Sequence, residues 1–320
     1  MRRTLVLAVF LVATLAVFGG RTLAQPAAKK PLVVGFSQVG AESAWRTAET
    51  KSVRDEAARR GVTLRFSDAQ GRQAAQINAL RSFITQRVDA IILAPIVETG
   101  WEPTLREARA AGIPVILVDR GVKVTDESLY ATLIASDFVE EGRMAGAWLA
   151  GESGGKASIV ELRGTTGSAP AIDREKGFAE IIAKHPEMKI VRSQDARFER
   201  AKGKEVMQSF LKALGRGGIT AVYAHNDDMA LGAIQAIEEA GLRPGEDILI
   251  VSIDAVRAAF EAMIEGKLNA TVECNPLLGP AAFDAVEKAI AGEQLPKFIK
   301  QHDRLFEKDQ AAEAIETREY

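Results

Sequence analysis

The sequence predicts an α/β protein built as two doubly wound lobes in tandem. Short runs of β-branched and other apolar residues alternate with helix-period segments from Pro31 onward. Several of those runs are apolar on both faces, the mark of a parallel sheet covered by helices on each side. The alternation occurs as two series of similar size.

The first series opens with strands at Leu32-Val33-Val34-Gly35-Phe36, Val62-Thr63-Leu64-Arg65-Phe66, Ala90-Ile91-Ile92-Leu93-Ala94 and Pro114-Val115-Ile116-Leu117-Val118. Between the second and third, Ile77, Leu80, Ile84 and Val88 recur at three-and-four spacing, which gives a helix one buried stripe. Tyr130 to Ala135 joins the series. The second has strands at Ala157–Leu162, Lys189–Ser193, Ile219–Ala224 and Asp247–Ile253. Its helices fall near 137–150, 171–184, 199–214 and 227–240, the last with Met229, Ala233, Ile234 and Ile237 on one face. Beyond Ile253 the pattern loosens: Leu268 to Val272 starts another strand and Pro276 opens a helix to Ala291, so this stretch is expected to return to the first lobe. The expected division is 31–135 plus 254–299 for the N-terminal lobe, and 136–253 plus 300–320 for the C-terminal lobe.

The chain has 320 residues, 47% hydrophobic and 26% charged, which suits folded globular protein and excludes disordered and collagenous classes. Its 41 basic and 43 acidic side chains nearly cancel, so no large positive field exists to hold nucleic acid. Cys274 is the sole cysteine, which rules out an internal disulfide and any paired-cysteine zinc or redox site. At the N-terminus, Arg2-Arg3 precede an apolar run from Leu5 to Phe18 and then Gly19-Gly20-Arg21-Thr22-Leu23-Ala24, the order of a secretory signal peptide. This mostly apolar run of 14 residues falls short of the ~20 that span a bilayer, so cleavage near Ala24 and a chain free of stable membrane insertion are expected. Loss of 1–24 removes three arginines and no acids, taking the formal charge from −2 to −5.

Enzyme motifs match as text and fail as context. Gly151-Glu152-Ser153-Gly154-Gly155 satisfies G-x-S-x-G, but it follows a helix and precedes a strand, the reverse of a nucleophile elbow. Gly155-Lys156 lacks the first glycine of a phosphate loop, where Ala150 stands, and its magnesium-binding hydroxyl, where Ala157 stands. No G-x-G-x-x-G follows the first strand, and His185, His225 and His302 show no metal-binding spacing. No cofactor, metal or catalytic residue is assigned.

Open parallel sheets bind ligands outside the carboxyl ends of their strands. Those positions are polar here: Ser37-Gln38 through Glu42, Trp45 and Arg46 after the first strand, Thr99-Gly100-Trp101 after the third, Asp119-Arg120 after the fourth. In the second lobe come Gly164 to Ser168 with Asp173-Arg174, then Phe198, Asn226-Asp227-Asp228 and Asp254. Carboxylates and an amide can bracket hydroxyls that both donate and accept, guanidiniums supply rigid forks of donors, and aromatic rings cover C–H faces, an inventory suited to a sugar. Ordinary explanations stand beside it. Asn226 can cap the next helix, Asp119-Arg120 can be a solvated pair or a turn, Glu42 and Arg46 can pair at i, i+4 on a helix surface, and Trp45 and Trp101 can be packing.

Residue for residue, the chain resembles the periplasmic sugar-binding proteins of the ribose-binding type, and most of all those for galactofuranose in bacterial ABC importers. The resemblance rests on GFSQVGAESAWRTAET from Gly35, APIVETGWEP from Ala94, VDR from Val118, AIDREKGFAE from Ala171, AKGKEVM from Ala201, VYAHNDDMALGAIQAI from Val222 and SID from Ser252. It implies a type I periplasmic binding protein fold, its two Rossmann-like lobes joined by a three-segment hinge. It places Glu42, Trp45, Arg46, Asp119, Arg120, Arg174, Asn226 and Asp254 on sugar-contacting positions, with Gln38, Trp101 and Phe198 as further candidates. It implies a monosaccharide ligand, a membrane permease as partner, a monomer, the periplasm as compartment, and hinge closure over the ligand with no bond made or broken. A chemoreceptor or sensor subunit, or a sugar-processing enzyme on the same scaffold, are the alternatives. Repressors of this fold carry a helix-turn-helix where this chain has its leader. Relatives have cysteines where Ser158 and Thr220 stand, and Cys274 occupies a hinge-proximal position whose contact is open; a small buried hydrophobe is the plain reading.

Overall fold

The computed structural model describes residues 31–320; the segment expected to be a signal peptide lies outside the described residues. The first half runs β1 (Val33–Gln38), α1 (Ala44–Arg60), β2 (Thr63–Asp68), α2 (Gln73–Thr85), β3 (Ala90–Leu93), α3 (Glu102–Ala110), β4 (Val115–Val118) and β5 (Thr132–Ala135). The second runs α4 (Phe138–Glu152), β6 (Lys156–Arg163), α5 (Ala169–Ile182), β7 (Glu187–Asp195), α6 (Arg200–Leu214), β8 (Ala221–Ala224), α7 (Asp227–Glu239), β9 (Leu249–Asp254), α8 (Arg257–Ile264) and β10 (Ala270–Glu273). The chain finishes with α9 (Gly279–Ile290), β11 (Phe298–Lys300), β12 (Leu305–Glu307) and α10 (Ala311–Ala314).

Two six-stranded sheets result, ordered β11-β5-β4-β3-β1-β2 and β12-β10-β9-β8-β6-β7. All pairings are parallel except β10 with β12. Each sheet reverses its winding beside its own first strand, β1 in one and β6 in the other, so each has a crevice at the carboxyl ends of its strands. Central strands β3, β4 and β8 are buried along their whole length, as their unbroken apolar runs require. Edge strands β2 and β7 are largely exposed and carry charged side chains.

Each lobe has its own core. In the first, Leu80, Phe83, Trp101 and Leu105 pack over the sheet with Phe283 of α9. In the second, Phe178, Tyr223, Met207 and Ile237 are buried together, with the Phe178 and Tyr223 rings stacked at 3.9 Å between centroids. Gly142 of α4 lets α5 approach closely; a Cβ there would meet the Arg174 carbonyl at 2.3 Å.

The return of the chain differs from the sequence expectation. Only α9 and β11 rejoin the first sheet; β10 pairs with β9 in the second, and α8 packs on α7 and α10. Residues 257–273 therefore belong with the second lobe rather than the first, because the strand beginning near Leu268 continues β9 as its parallel neighbour. Tyr130 to Ala135 is more than a connection, since Thr132–Ala135 pairs with β4. The helix expected to open at Pro276 starts at Gly279, with a proline at its first turn. Segments 136–137, 274–278 and 301–304 cross between the sheets.

Candidate functional site

The carboxyl ends of the two sheets face one another across a small cavity of about 20 Å³. From the first lobe it is bordered by Glu42, Ser43, Trp45, Arg46, Asp119 and Arg120, and from the second by Pro170, Arg174, Phe198, Asn226, Asp254 and Cys274.

The first turn of α1 supplies the first group. Ser43 caps the helix, its hydroxyl accepting from the Arg46 backbone at 3.1 Å. This fixes Arg46, whose guanidinium donates from Nε to Glu42 at 3.1 Å, from Nη1 to Glu49 at 2.5 Å and from Nη2 to Asp119 at 2.6 Å. Burial opposes the Arg46 charge, but Asp119, Glu49 and Glu42 outweigh it and hold its pKa well above the usual arginine value. The Glu42–Arg46 ion pair is thus real yet partly buried rather than a fully solvated helix-surface pair, with the Arg46 side chain 3% and the Glu42 side chain 15% exposed. Arg120, also buried, donates to the Ile96 carbonyl at 3.2 Å, and its guanidinium carbon lies 5.3 Å from the Phe198 ring centre across the cleft. Burial, and then the neighbouring Arg46, push the Arg120 pKa down. The solvated-pair reading of Asp119-Arg120 does not hold, since both side chains are buried.

In the second lobe Arg174 of α5 donates from Nε to Glu141 at 2.7 Å and from Nη1 to the His225 carbonyl at 2.6 Å, with Nη2 3.7 Å from Asp254. Asp254 has its carboxyl pushed well above the ordinary range by burial; Arg174 opposes this, and Asp227, Glu141 and Asp228 add to it. Asn226 does both things open to it: Oδ1 caps α7 by accepting from Met229 at 3.0 Å, and the side chain borders the cavity while Nδ2 donates to the Phe198 carbonyl at 3.2 Å.

Backbone strain gathers here. Asp119 (φ 60°), Phe198 (φ 63°) and Asp254 (φ 124°) are non-glycine residues at positive φ, each costing roughly 1–3 kcal/mol. Gly164 makes room for Phe198: a Cβ there would fall 1.8 Å from the ring.

Two of the candidate residues lie apart. Trp101 is fully buried in the first core and spends its indole N–H on the Val97 carbonyl at 2.6 Å. Gln38 sits beneath the site, donating to Glu49 and Thr50 at 3.0 Å each. Neither borders the cavity, because the side chain in each case points back into its own lobe. Ser43, Pro170 and Cys274 do border it, although no sequence pattern marks Ser43 or Pro170 as ligand-facing. Cys274 has a signal, its hinge-proximal position; burial pushes its thiol well up, which keeps it protonated and agrees with the small-hydrophobe reading.

Three carboxyl groups (Glu42, Asp119, Asp254) and three guanidiniums (Arg46, Arg120, Arg174) line the cavity. Glu42 Oε2 and Arg120 Nε are buried without a well-directed hydrogen bond inside the protein. Such groups fit an uncharged polyhydroxyl molecule. The lobes also meet directly: the Ala44 N–H donates to Asp228 at 2.8 Å, the Trp45 indole to the Cys274 carbonyl at 2.5 Å, and the Glu98 N–H to the Gly167 carbonyl at 2.9 Å. This is a closed arrangement. Among the described residues there is no cluster of metal-ligating side chains and no helix long and apolar enough to cross a membrane.

Residues 34–294 match the family model of the periplasmic binding protein domain. The galactofuranose-binding protein of Escherichia coli strain K12 is 53% identical over 291 residues, 90% of this chain and 92% of that protein. The ribose import binding protein of Bacillus subtilis strain 168 is 34% identical over 272 residues, 85% of this chain and 86% of that protein. Among solved structures, the binding protein of the arabinose ABC transporter from Shewanella sp. ANA-3, bound to α- and β-L-arabinofuranose, superposes with a TM-score of 0.88 at 55% identity, covering 90% of this chain and 95% of that one.

Proposed function

The chain belongs to the periplasmic binding protein family, and from that premise we propose that it is the sugar-capturing subunit of an ABC importer, specific for a monosaccharide in furanose form, galactofuranose or a related hexose or pentose. The single observation that carries this reading is the mixed set of three carboxylates and three guanidiniums, contributed by both lobes, that borders the cavity. Neither lobe holds the set alone, so ligand favours the closed state, and closure presents a combined surface of both lobes to the permease. Hinge closure around a ligand is the general motion of periplasmic binding proteins. Here the particular clasp is the first turn of α1, where Ala44 and Trp45 reach the second lobe while Arg46 turns to the cavity. Binding without chemistry is the reading for this site: its acids are committed to guanidiniums, and its relatives are sugar-binding transport proteins. The charged, apolar and small-residue order of residues 1–24 supports export to the periplasm, where the mature chain acts as a monomer.

Calorimetric titration of unfolded, ligand-stripped and refolded mature protein against L-arabinose, D-galactose, D-ribose, D-glucose and a galactofuranose source tests the proposal. Saturable heat with one sugar per chain, and recovery of that sugar chemically unchanged, is the expected result. No heat from folded protein with any of them contradicts it.

A further inference from the structure

Behind the cavity each lobe repeats one device. Glu49 is fully buried beneath Arg46, its Oε2 accepting from Arg46 Nη1 at 2.5 Å and from Gln38 Nε2 at 3.0 Å. Glu141 is fully buried behind Arg174, its Oε2 accepting from Nε at 2.7 Å. Neither glutamate borders the cavity, and in each the second oxygen, Oε1, has no well-directed hydrogen bond within the protein, with the Cys274 thiol a weak donor beside Glu141. A half-satisfied buried carboxylate is a poor device for stability, since apolar replacement of a buried ion pair is often neutral or stabilising. It is a good device for holding a long side chain still. An arginine carries about 2 kcal/mol of rotamer entropy, and fixing its fork before the ligand arrives removes that cost from binding.

Building on the sugar-binding reading, we infer that Glu49 and Glu141 are positioning residues that set the Arg46 and Arg174 guanidiniums for the sugar, and that their ionisation makes sugar affinity depend on pH. Glu49 faces Arg46 of α1, Gln38 of β1, and Asp119 and Arg120 after β4. Glu141 faces Arg174 of α5, Tyr223 of β8, Asp254 of β9, Cys274 after β10 and Asp303 between β11 and β12. Burial, opposed by Arg46, raises Glu49 to about 7; burial, opposed by Arg174, raises Glu141 to about 7. Each is therefore charged above neutrality and neutral below it. A neutral carboxyl holds its guanidinium weakly, so affinity falls as the pH falls. Stability moves the other way: a carboxyl raised above its unfolded value stabilises the fold most at low pH and loses that contribution as the pH rises through about 7. Opposite signs separate a positioning role from a merely structural one.

The test is titration calorimetry of the mature protein and of its E49Q and E141Q variants from pH 8 to pH 6, with L-arabinose or D-galactose as titrant and melting curves alongside. At pH 6 a group titrating near 7 is only ~10% ionised, so either group alone weakens wild-type binding by roughly tenfold between the two pH values. Each Gln variant is expected to bind roughly tenfold more weakly than wild type at pH 8, with a shallower fall toward pH 6. A wild-type Kd that is flat from pH 8 to 6, or folded variants whose profiles run parallel to wild type, overturns the inference while leaving the sugar-binding reading intact. A flat wild-type profile overturns the inference even where a variant fails to fold, and a folded variant assigns any slope to its own glutamate. Absence of binding at every pH overturns both.

Discussion

Arg174→Ala is expected to abolish measurable sugar binding and to destabilise the protein by about 3–5 kcal/mol, the scale for removing one partner of a buried ion pair. Arg174 satisfies Glu141 and the His225 carbonyl and lies opposite Asp254, so its loss strands two buried carboxylates and one carbonyl. At roughly 2–4 °C per kcal/mol for domains of this size, the melting temperature should fall by on the order of 10 °C at pH 8. The deficit should shrink in mild acid. Both carboxyls already stand above their ordinary range through burial, and without the guanidinium they take up protons more readily, which relieves the stranded charge. Arg174→Lys should rescue little, because one ammonium cannot reproduce the fork that reaches Glu141 and the His225 carbonyl together. Melting curves and titration calorimetry check all of this; an unchanged melting temperature with intact binding would remove Arg174 from the network.

Asp119→Ala is expected to weaken binding by about 2 kcal/mol or more, roughly thirtyfold, as an uncompensated charged hydrogen bond. Asp119 accepts from Arg46 Nη2 at 2.6 Å and lies 3.3 Å from Arg120 Nε, so it separates and fixes two cations that both border the cavity. The backbone adds a second effect. Asp119 stands at φ 60°, where a plain L-residue costs roughly 1–2 kcal/mol and where Asn and Asp are best tolerated. Asp119→Asn should therefore fold close to wild type and lose affinity, while Asp119→Ala loses both. Calorimetry on the two variants separates the charge from the strain, and wild-type affinity in both would exclude Asp119 from the site.

The elements legible in the sequence are those with strong local signals. The unbroken apolar runs of β3, β4 and β8 fit doubly covered strands, and polar residues after β4 and β8 mark the cavity edge. Edge strands β11 and β12 have three residues each and no periodicity to read. The sequence pattern assigns residues 257–273 to the wrong lobe because sheet membership is a long-range pairing, visible only once β10 lies against β9. Trp101 and Gln38 have the right chemistry at the right loop, yet side-chain direction turns them inward. Glu49 lies three residues beyond Arg46, a spacing that suits a pair; Glu141 looks like an ordinary acid in the first turn of α4, and its pairing with Arg174 depends on the close approach of two helices.

Small-angle scattering on the ligand-stripped mature protein, with and without saturating sugar, tests most directly the claim that the ligand is held by groups from both lobes. The closed contacts of Ala44 with Asp228 and of Glu98 with Gly167 should form on binding, so the radius of gyration should fall on saturation. Superimposable curves, from protein that calorimetry shows to be saturated, would mean that one lobe suffices and would contradict the account.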